Sequence, residues 1–508
     1  MCEIPNFTKD EITILKRHVS NVDKDIYVIY NLPPEVTAVL FAYVSRSPLS
    51  FRENILKLIK GKDLDIGRLI DLFGTKGFDF SEAKEKARKF HEKWIVGYGH
   101  SSVAEHAVAS IALENVSILA TKAIEDNRLA SFTEKSTRYQ VFGHNCYYKP
   151  KKIMKSSHSK LFEKTCNHFF DFYREITPKM IEFVKERYPK SKDVNEKFYE
   201  NVSKARACDI VRYILPAATL TNLAITANAR TLEHAIRKLL SHHLDEMRDI
   251  GSMLKKEVLK IIPTLVKYSD YNPYISETNV AMEKLTPGIL KLNSIESTSP
   301  VTLVDYDPEA EDKLVTAILY RYSKYPFKQI KKLVKKMDKK SKEKIVDEFL
   351  NKMNKHDWPL RELEHINYTF DIMIDYGAFR DIQRHRICTQ TNQELTIEHG
   401  YDIPKEIIDL GFKKKFEDFM NIAIEAFNEI SKEFPKEAQY VVPLAFKKRT
   451  LFTWNLRELH HFIKLRSSKE GHISYRRIAQ KVFDELEKVH PLLARYIRVD
   501  KSVGLSRG

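Results

Sequence analysis

Hydrophobic residues recur along this chain at two spacings, one typical of β-strands and one typical of amphipathic helices. The stretch VTLVDYDPEAEDKLVTAILYRYS (301–323) alternates like a strand, contains a turn, and continues with apolar residues at helical intervals. In the basic segment 328–349, apolar residues recur at helical spacing from Ile330 to Met337, between lysines and carboxylates. We predict a strand and a helix at 301–323, and a single solvated amphipathic helix over 328–349.

Blocks with the same pattern occur twice, in the same order. The corresponding segments are GHSSVAEHAVASIAL (99–113) and LRELEHINYTFDI (360–372), YILP (213–216) and YVVP (440–443), TNLAITANARTLEHAIRKLL (221–240) and RTLFTWNLRELHHFIKLR (449–466), and helical patterns ending near Pro263 and Pro491. Chance explains one such pair, but four pairs in register indicate an internal duplication. We predict two tandem domains, over residues 1–285 and 301–508, joined by a linker at 286–300 that contains Pro-Gly and a polar Ser/Thr cluster.

Length and composition place the chain among soluble globular proteins. Its 508 residues suffice for several domains, and it contains 43% apolar and 30% charged residues. No apolar run reaches the roughly 18–20 residues of a membrane helix, and the N-terminal sequence MCEIPNFTKDEITILKRH lacks the apolar core of a signal peptide. We therefore expect a cytoplasmic protein that does not bind membranes.

The net charge of +16 favours anionic partners such as phosphorylated metabolites, folates and nucleic acids. The sequence contains no GxGxxG after a strand and no GxxxxGK[ST], which argues against a Rossmann site and a P-loop. It contains no HExxH, and its five cysteines are scattered without a CxxC, so we expect neither a metal centre nor a disulfide framework. Because no clear basic stripe or aromatic stacking platform is visible, small-molecule anions are favoured over nucleic acid.

The sequence DIQRHRICTQ at 381–390 contains the clearest candidate for an anion site. Arg384 and Arg386 flank His385, and uncharged polar residues follow them. This triplet fits the wall of an anion pocket, although an ordinary basic patch could have the same sequence.

Four motifs taken together resemble the flavin-dependent thymidylate synthase family. They are GHSSVAEHA, RHR, ExSxRY, and NxRxL with a later arginine, and they extend over most of both repeats. The resemblance implies an α/β (α+β) fold in which each domain packs a mixed sheet against long helices. It also implies FAD and dUMP bound at interfaces of a tetramer, with NADPH reducing the flavin and methylenetetrahydrofolate donating the carbon that converts dUMP to dTMP.

The first repeat keeps the motif that the resemblance assigns to the substrate. The matching residues are Glu134, Ser136, Arg138 and Arg212 for dUMP, and His100, Ser102 and Glu105 for the flavin. The RHR position reads Asp126-Asn127-Arg128, and Leu239 stands where the late arginine is expected. The first repeat therefore lacks most of the flavin and ring contacts.

The second repeat shows the opposite pattern. The matching residues are Arg384, His385, Arg386, Asn455, Arg457 and His461 for the flavin, and Arg466 for activation of the uracil ring. The ExSxRY motif is lost, and Gln439 stands at the position of Arg212. Glu105 and its counterpart Glu364 could instead have a structural role, in which each connects a strand to a helix. A structural role is equally compatible with the position of His461.

These complementary losses predict one composite site, built from the ExSxRY loop of the first repeat and from RHR and Arg466 of the second. Such a chain would form a homodimer equivalent to the family's tetramer, with dUMP, folate and NADPH as its partners. Two alternatives remain open. One is a flavin- and folate-dependent methyltransferase acting on another pyrimidine, including one in RNA, and the other is a degenerate, non-catalytic nucleotide-binding protein.

Overall fold

The structure is a computed structural model that describes residues 6–44, 49–60, 101–292 and 294–502. Its contacts divide the chain into two compact units. Unit 1 consists of Met1–Val116, Ala123–Glu134 and Asn222–Lys291, and unit 2 of Ser117–Lys122, Lys135–Thr221 and Leu292–Gly508. The units do not coincide with the two repeats, because residues 135–221 of the first repeat belong to the unit that contains the second repeat. The domain boundaries inferred from the sequence stay a prediction.

The helices and strands alternate along the chain. The helices are α1 (Lys9–Leu15), α2 (Pro34–Val44), α3 (Phe51–Lys60), α4 (Ile118–Glu125), α5 (Lys151–Met154), α6 (Ser159–Arg187), α7 (Glu196–Val211), α8 (Ala229–Leu240), α9 (Asp245–Ile261), α10 (Pro273–Ile289), α11 (Ala310–Arg321), α12 (Phe327–Val334), α13 (Lys339–Leu350), α14 (Tyr376–Ile382), α15 (Lys405–Asp409), α16 (Lys413–Ser431), α17 (Leu456–Ser467), α18 (Ile473–Val489) and α19 (Pro491–Ala494). The strands are β1 (Val108–Ser117), β2 (Ala130–Glu134), β3 (Leu220–Asn228), β4 (Val301–Tyr306), β5 (Asn367–Asp375), β6 (Thr389–Asn392) and β7 (Lys447–Asn455).

Unit 1 contains a three-stranded sheet in the order β1-β3-β2, in which β2 runs antiparallel to β3. Helix α8 follows β3 and packs against α9 through Leu239 and Gly251. A Cβ atom at Gly251 would lie 2.9 Å from the Leu239 Cβ, so only glycine allows this close approach. Helix α10 ends at Ile289, so the first residues of the predicted linker are helical.

Unit 2 contains a four-stranded antiparallel sheet in the order β4-β5-β7-β6. Alternate residues of β5 and β7, including Phe370 and Trp454, are fully buried, and the Trp454 ring stacks on Phe462 of α17. The long helices α6 and α16, one from each repeat, pack through the stacked rings of Phe172 and Phe419. This mixed α/β organisation confirms the predicted fold class.

The segment 301–323 forms a strand and a helix, β4 and α11, as predicted. The single helix predicted over 328–349 is wrong, because the chain forms two helices there, α12 and α13. The Asp338 side chain accepts a hydrogen bond from the Ser341 backbone N–H and thereby caps a new helix start. The apolar spacing runs on through this break, so periodicity alone did not reveal it.

The two repeats share most of their elements in the same order, but the helix α7 (Glu196–Val211) of the first repeat has no counterpart in the second. Each begins with a 3₁₀ turn, Ser101–Glu105 or Arg361–His365, which is followed by strand, helix, strand and a long helix. A second 3₁₀ turn, Arg212–Ile214 or Glu437–Val441, then leads into a strand and two helices. The duplication inferred from the sequence is therefore repeated in the secondary structure.

The YILP and YVVP segments of the two repeats pair with each other within unit 2. Pro216 and Pro443 form an antiparallel bridge, and the backbone N–H groups of Ala217 and Leu444 donate reciprocal hydrogen bonds across it, both of 2.9 Å. This exchange places equivalent residues of the two repeats around a local two-fold relation. It holds Arg212, which precedes the first segment, beside elements of the second repeat.

Candidate functional site

Arg138, from the ExSxRY motif of the first repeat, is held by one residue from each repeat. Its Nε and Nη2 atoms donate to the two carboxylate oxygens of Asp209 on α7, at 2.5 and 2.8 Å. Its Nη1 atom donates to the hydroxyl of Tyr475 on α18, at 3.2 Å. Burial opposes the charge of Arg138, but its hydrogen bonds and ion pair with Asp209 raise its pKa above the ordinary value.

Asp381 on α14 is an acid surrounded by arginines from both repeats. Its Oδ2 lies 3.5 Å from Nη1 of Arg212. Burial by itself would raise the pKa of this carboxyl, but Arg212 and then Arg138, Arg466 and Arg384 lower it to about 2. Asp381 is therefore ionised at neutral pH and faces a group of positive charges.

Arg466 is fixed by a relay of hydrogen bonds within the second repeat. Its Nε donates to Nε2 of His385, at 2.9 Å, and Nδ1 of His385 lies 3.1 Å from Oε1 of Glu458. Because Nε2 accepts from an arginine, the ring proton must be on Nδ1, where it is donated to Glu458. Burial and then Arg466 keep the pKa of His385 well below its usual value, so the imidazole is neutral.

The two arginines Arg138 and Arg466 meet on one aromatic ring. Their guanidinium carbons lie 5.8 and 5.4 Å from the centroid of the Tyr475 ring. The arginine of the ExSxRY motif in the first repeat and the late arginine of the second repeat are therefore neighbours in a single chain. All residues of this cluster, including Arg212 and Asp381, belong to unit 2.

The helix that leads into RHR begins at a buried acid, Asp375. Its Oδ1 accepts from the Ala378 backbone N–H at 2.7 Å, and its Oδ2 accepts from the Ser474 hydroxyl. Burial raises the pKa of Asp375 to about 6, although Ser474 and then Arg212 oppose the rise. The start of α14, and through it the placement of Asp381, therefore depends on an acid that titrates near neutral pH.

Asp375→Asn is expected to flatten the pH dependence of stability between about pH 4 and pH 7. Because the folded-state pKa is raised, the acid stabilises the fold below its unfolded pKa of about 4 and this contribution is lost as the pH rises through 6. The rise of about two units corresponds to ~3 kcal/mol of unfolding free energy. Urea unfolding at pH 4.5 and 7.5 measures how the free energy of unfolding changes with pH. The matched control is Asp305→Asn, which replaces an exposed acid. An unchanged slope in Asp375→Asn would contradict the assignment.

Two of the residues predicted to contact the flavin, Asn455 and Arg457, make structural contacts. Asn455 caps α17 by accepting a hydrogen bond from the backbone N–H three residues later, and Asn228 of the first repeat caps α8 in the same way. Arg457 forms an ion pair of 2.9 Å with Glu364, which joins the 3₁₀ turn to the helix that follows the last strand of the repeat.

The first repeat has the equivalent pair, Arg230 with Glu105, at 2.5 Å. The recurrence of this pair supports the structural reading of both glutamates. Ser102 is exposed on the same turn, and His100 lies outside the described residues. Glu134 is buried at the end of β2 in unit 1.

Ser136 shapes the loop that contains the ExSxRY motif. Its Oγ accepts a hydrogen bond of 3.1 Å from the backbone N–H of Arg138, and its carbonyl accepts from Tyr139 and Gln140. The loop is therefore a tight turn that directs Arg138 toward Asp209 and leaves Tyr139 half exposed.

The second repeat also presents groups suited to a flavin nucleotide. Arg384 is exposed and Arg386 is half-buried, and the Trp358 ring stacks on His461 with 4.5 Å between centroids. The His461 ring lies 5.1 Å from that of His385, and burial followed by His385 lowers the pKa of His461 to about 4. Guanidinium groups suit a diphosphate, and a neutral stacked surface that is half exposed suits an aromatic ring system. These residues fit FAD.

A cavity of about 670 Å³ adjoins the arginine cluster, with Asp209 and His472 in its wall. Burial, then Arg212, lowers the pKa of His472 to about 3, so this ring is neutral. The volume lies in the range of small-molecule pockets.

The profile of the family described as thymidylate synthase complementing protein matches residues 67–264 and 302–492. This chain belongs to that family. The two matched regions confirm the predicted tandem arrangement, and the shared Tyr475 contact shows that retained motifs of both copies meet within one chain. No helix in the described part of the chain is long and apolar enough to span a membrane.

Relatives of two kinds are similar to this chain. A UPF0159 protein of Chlamydia pneumoniae is 34% identical and covers 97% of this chain and 94% of its own length, and one of Thermoplasma acidophilum is 28% identical over 83% and 90%. A flavin-dependent thymidylate synthase of Clostridium tetani is 29% identical over 38% of this chain and 73% of its own length. The solved structure of flavin-dependent thymidylate synthase ThyX from Helicobacter pylori, complexed with FAD and dUMP, aligns with 40% of this chain and all of its own, at 20% identity and a TM-score of 0.30.

Sequence reasoning missed four residues of the cluster, Asp209, Asp381, Glu458 and Tyr475. Two of them carried a detectable signal, because Asp209 and Asp381 stand three residues before Arg212 and Arg384. An acid one helical turn before an arginine in each repeat could have marked them as partners. Glu458 and Tyr475 carried no such signal.

Proposed function

We propose that this protein is a flavin-dependent thymidylate synthase whose site is built from both repeats of one chain. The observation that carries the proposal is the meeting of Arg138 and Arg466 on the Tyr475 ring. Each repeat lacks the other's contribution, since Thr396 and Leu239 stand at the equivalent positions. Only a site that combines the ExSxRY loop of the first repeat with helix α17 of the second repeat contains both Arg138 and Arg466.

The substrate contacts follow from the chemistry of the cluster. A nucleotide phosphate is a dianion that guanidinium groups bind with paired hydrogen bonds, and Arg138 and Arg212 are the nearest candidates. Arg138 would turn one or both donors from Asp209 to the phosphate. The Ser136 hydroxyl, at the same turn, is a further donor.

Arg466 is placed to act on the pyrimidine ring. A fixed cation beside a ring carbonyl favours negative charge on that oxygen and makes the neighbouring ring carbon a better acceptor. His385 and Glu458 hold the guanidinium in one orientation, which avoids reorganisation during the reaction. FAD, when bound, would supply the hydride; Arg384, Arg386 and the Trp358–His461 stack would hold it.

The proposal includes NADPH as reductant and methylenetetrahydrofolate as carbon donor, and a homodimer as the assembled form. It is tested by incubating purified, flavin-loaded protein with dUMP, methylenetetrahydrofolate and NADPH at low oxygen and measuring dTMP. Formation of dTMP is expected. If the protein binds flavin but forms no dTMP, a flavin enzyme acting on another pyrimidine replaces this proposal.

Glu458→Ala is expected to lower kcat about tenfold and to change the KM for dUMP by less than about twofold. Without its acceptor, the His385 proton is free to shift to Nε2, which removes the acceptor that orients Arg466. Glu458→Gln keeps a carbonyl acceptor and should restore most of the rate. Steady-state kinetics of the native protein and both variants measure kcat and the KM for dUMP. An equal decrease of kcat in the Ala and Gln variants would contradict this positioning role.

A further inference from the structure

The cavity of about 670 Å³ beside the arginine cluster is lined by none of the residues that the sequence assigned to dUMP or to the flavin. Its lining comes mainly from the end of α7, the end of β5, α15 with the segment before it, and the first turns of α18. All of these parts belong to unit 2. We call this space the α18 cavity. None of the contacts proposed for dUMP or FAD occupies it.

Three exposed cations line the α18 cavity without an ion pair. Arg477 and Lys481 lie one helical turn apart on α18, and Lys405 is the first residue of α15. Among the described residues, no carboxylate forms an ion pair with any of the three. A cleft that collects charges of one sign attracts ions of the opposite sign. These side chains therefore favour an anionic ligand.

Other cations of the same lining have carboxylate partners. Lys447 pairs with Asp402 at 2.9 Å, and Arg187 pairs with Asp409 at 2.7 Å. Glu406 is a further acid of the lining, and its negative charge acts on Arg187. The three unpaired cations therefore keep their charge available to a ligand.

The buried part of the lining contains hydrogen-bonding groups. The His472 ring, 4% exposed, stacks on Tyr213 with 5.6 Å between centroids. Its Nδ1 accepts a hydrogen bond of 3.2 Å from the Ser474 backbone N–H, so the ring proton is on Nε2 and His472 is a donor. The Ser474 hydroxyl donates to Asp375, and its oxygen, like the Asp209 carboxylate, can accept from a ligand. This part therefore suits a neutral group that has both donors and acceptors.

Aliphatic side chains complete the buried lining. Ile210, Ile374 and Ile478 are each 5% exposed or less. Apolar walls with a few polar groups are typical of small-molecule pockets. Because Asp209 is an anion, the negative charges of a ligand are expected away from it, at the exposed cations. The lining therefore fits a neutral heterocycle that carries a tail of several negative charges.

We propose that the α18 cavity is a second nucleotide site, which binds a nucleoside triphosphate with its phosphates on Arg477, Lys481 and Lys405 and its base beside His472 and Asp209. Guanidinium and ammonium groups both suit phosphate oxygens. Arg477 and Lys481 are separated by about 6 Å along the helix axis, and Lys405 lies on another helix, so a chain of phosphates reaches more of these groups than a single phosphate does. The site does not rest on the proposed function, because it uses none of the residues that would hold dUMP or FAD.

The test measures ATP binding to the full-length, flavin-loaded protein by isothermal titration calorimetry without magnesium. ATP is the probe because its base has an amino donor and ring-nitrogen acceptors, and bound FAD keeps it out of the flavin site. The native protein should bind ATP with a Kd below about 1 mM, and Arg477→Gln combined with Lys481→Gln should weaken binding at least about tenfold. The matched control is Arg498→Gln combined with Lys352→Gln, which removes two exposed positive charges elsewhere in unit 2 and should change the Kd less than about twofold.

Two further measurements test the ligand class and the sign of the charge effect. Inorganic triphosphate has no base to contact the buried part of the lining, so it should bind at least about tenfold more weakly than ATP. Glu406→Gln removes a negative charge from the lining and should tighten ATP binding about two- to threefold. Tighter binding cannot result from a damaged fold, so this variant complements the loss in the double variant.

The outcomes are separate from those of the dTMP assay. No binding at about 1 mM ATP, native affinity in the double variant, or equal affinity for inorganic triphosphate would each overturn the second nucleotide site. The proposed function fails if the flavin-loaded protein forms no dTMP, whatever its affinity for ATP.

Discussion

Arg466→Ala is expected to lower kcat for dTMP formation about 100- to 1,000-fold while FAD remains bound. Removing one preorganised donor from a developing anion typically costs a factor of this size. Arg466 does not belong to the residues that fit the flavin diphosphate, so the flavin absorbance of the purified variant should be close to that of the native protein. Steady-state kinetics and flavin content together measure the two effects.

The matched control for this variant is Arg498→Ala. Arg498 is an exposed arginine of unit 2 whose side chain donates a hydrogen bond to the carbonyl of Met353. Its replacement should leave kcat within about twofold of the native value. If Arg466→Ala also kept nearly native turnover, Arg466 would have no part in the reaction and the role derived from its contact with His385 would be wrong.

Arg138→Ala is expected to have two separate effects, one on dUMP binding and one on stability. Loss of the phosphate fork should raise the KM for dUMP about 100-fold. The same change removes the ion pair and the two hydrogen bonds that Arg138 makes with the Asp209 carboxylate, which is 6% exposed. Removing one member of a buried ion pair costs about 3–5 kcal/mol of unfolding free energy, so the variant should also unfold at lower urea concentration.

A double variant separates the two effects. Arg138→Met combined with Asp209→Leu removes both buried charges and should recover most of the lost stability. It should not recover dUMP binding, because no guanidinium is restored. If the double variant bound dUMP as tightly as the native protein, Arg138 would be a structural residue and the phosphate would lie elsewhere.

Comparison of the two repeats within the sequence identified the motif residues that one repeat keeps and the other lacks. Such a comparison requires no knowledge of the folded structure. Arg138, Arg212, His385 and Arg466 were identified in this way, and the structure places them close together. The partners Asp209 and Asp381 are single acids on helices, and only the folded chain shows that they face arginines of the cluster. Their importance depends on burial and distance, which a motif does not encode.

Sequence reasoning also assigned ligand roles to some residues that make structural contacts, and these roles stay predictions. Asn455 fits a cap as well as a flavin contact, and Arg457 pairs with Glu364 in the same way as Arg230 pairs with Glu105. A polar residue at a helix start has a structural use wherever it occurs. The arginine–glutamate pair occurs in both repeats, although the first repeat lacks RHR. This recurrence favours a structural role for the pair.

The central claim is that one chain supplies both halves of a working site. It is tested most directly by mixing Arg138→Ala and Arg466→Ala proteins under conditions that exchange subunits and measuring dTMP formation. Because both arginines contact Tyr475 of the same chain, no mixed dimer would contain a complete site, and activity should stay at the level of the separate variants. Recovery toward a quarter of native activity would place the site between chains and contradict the claim.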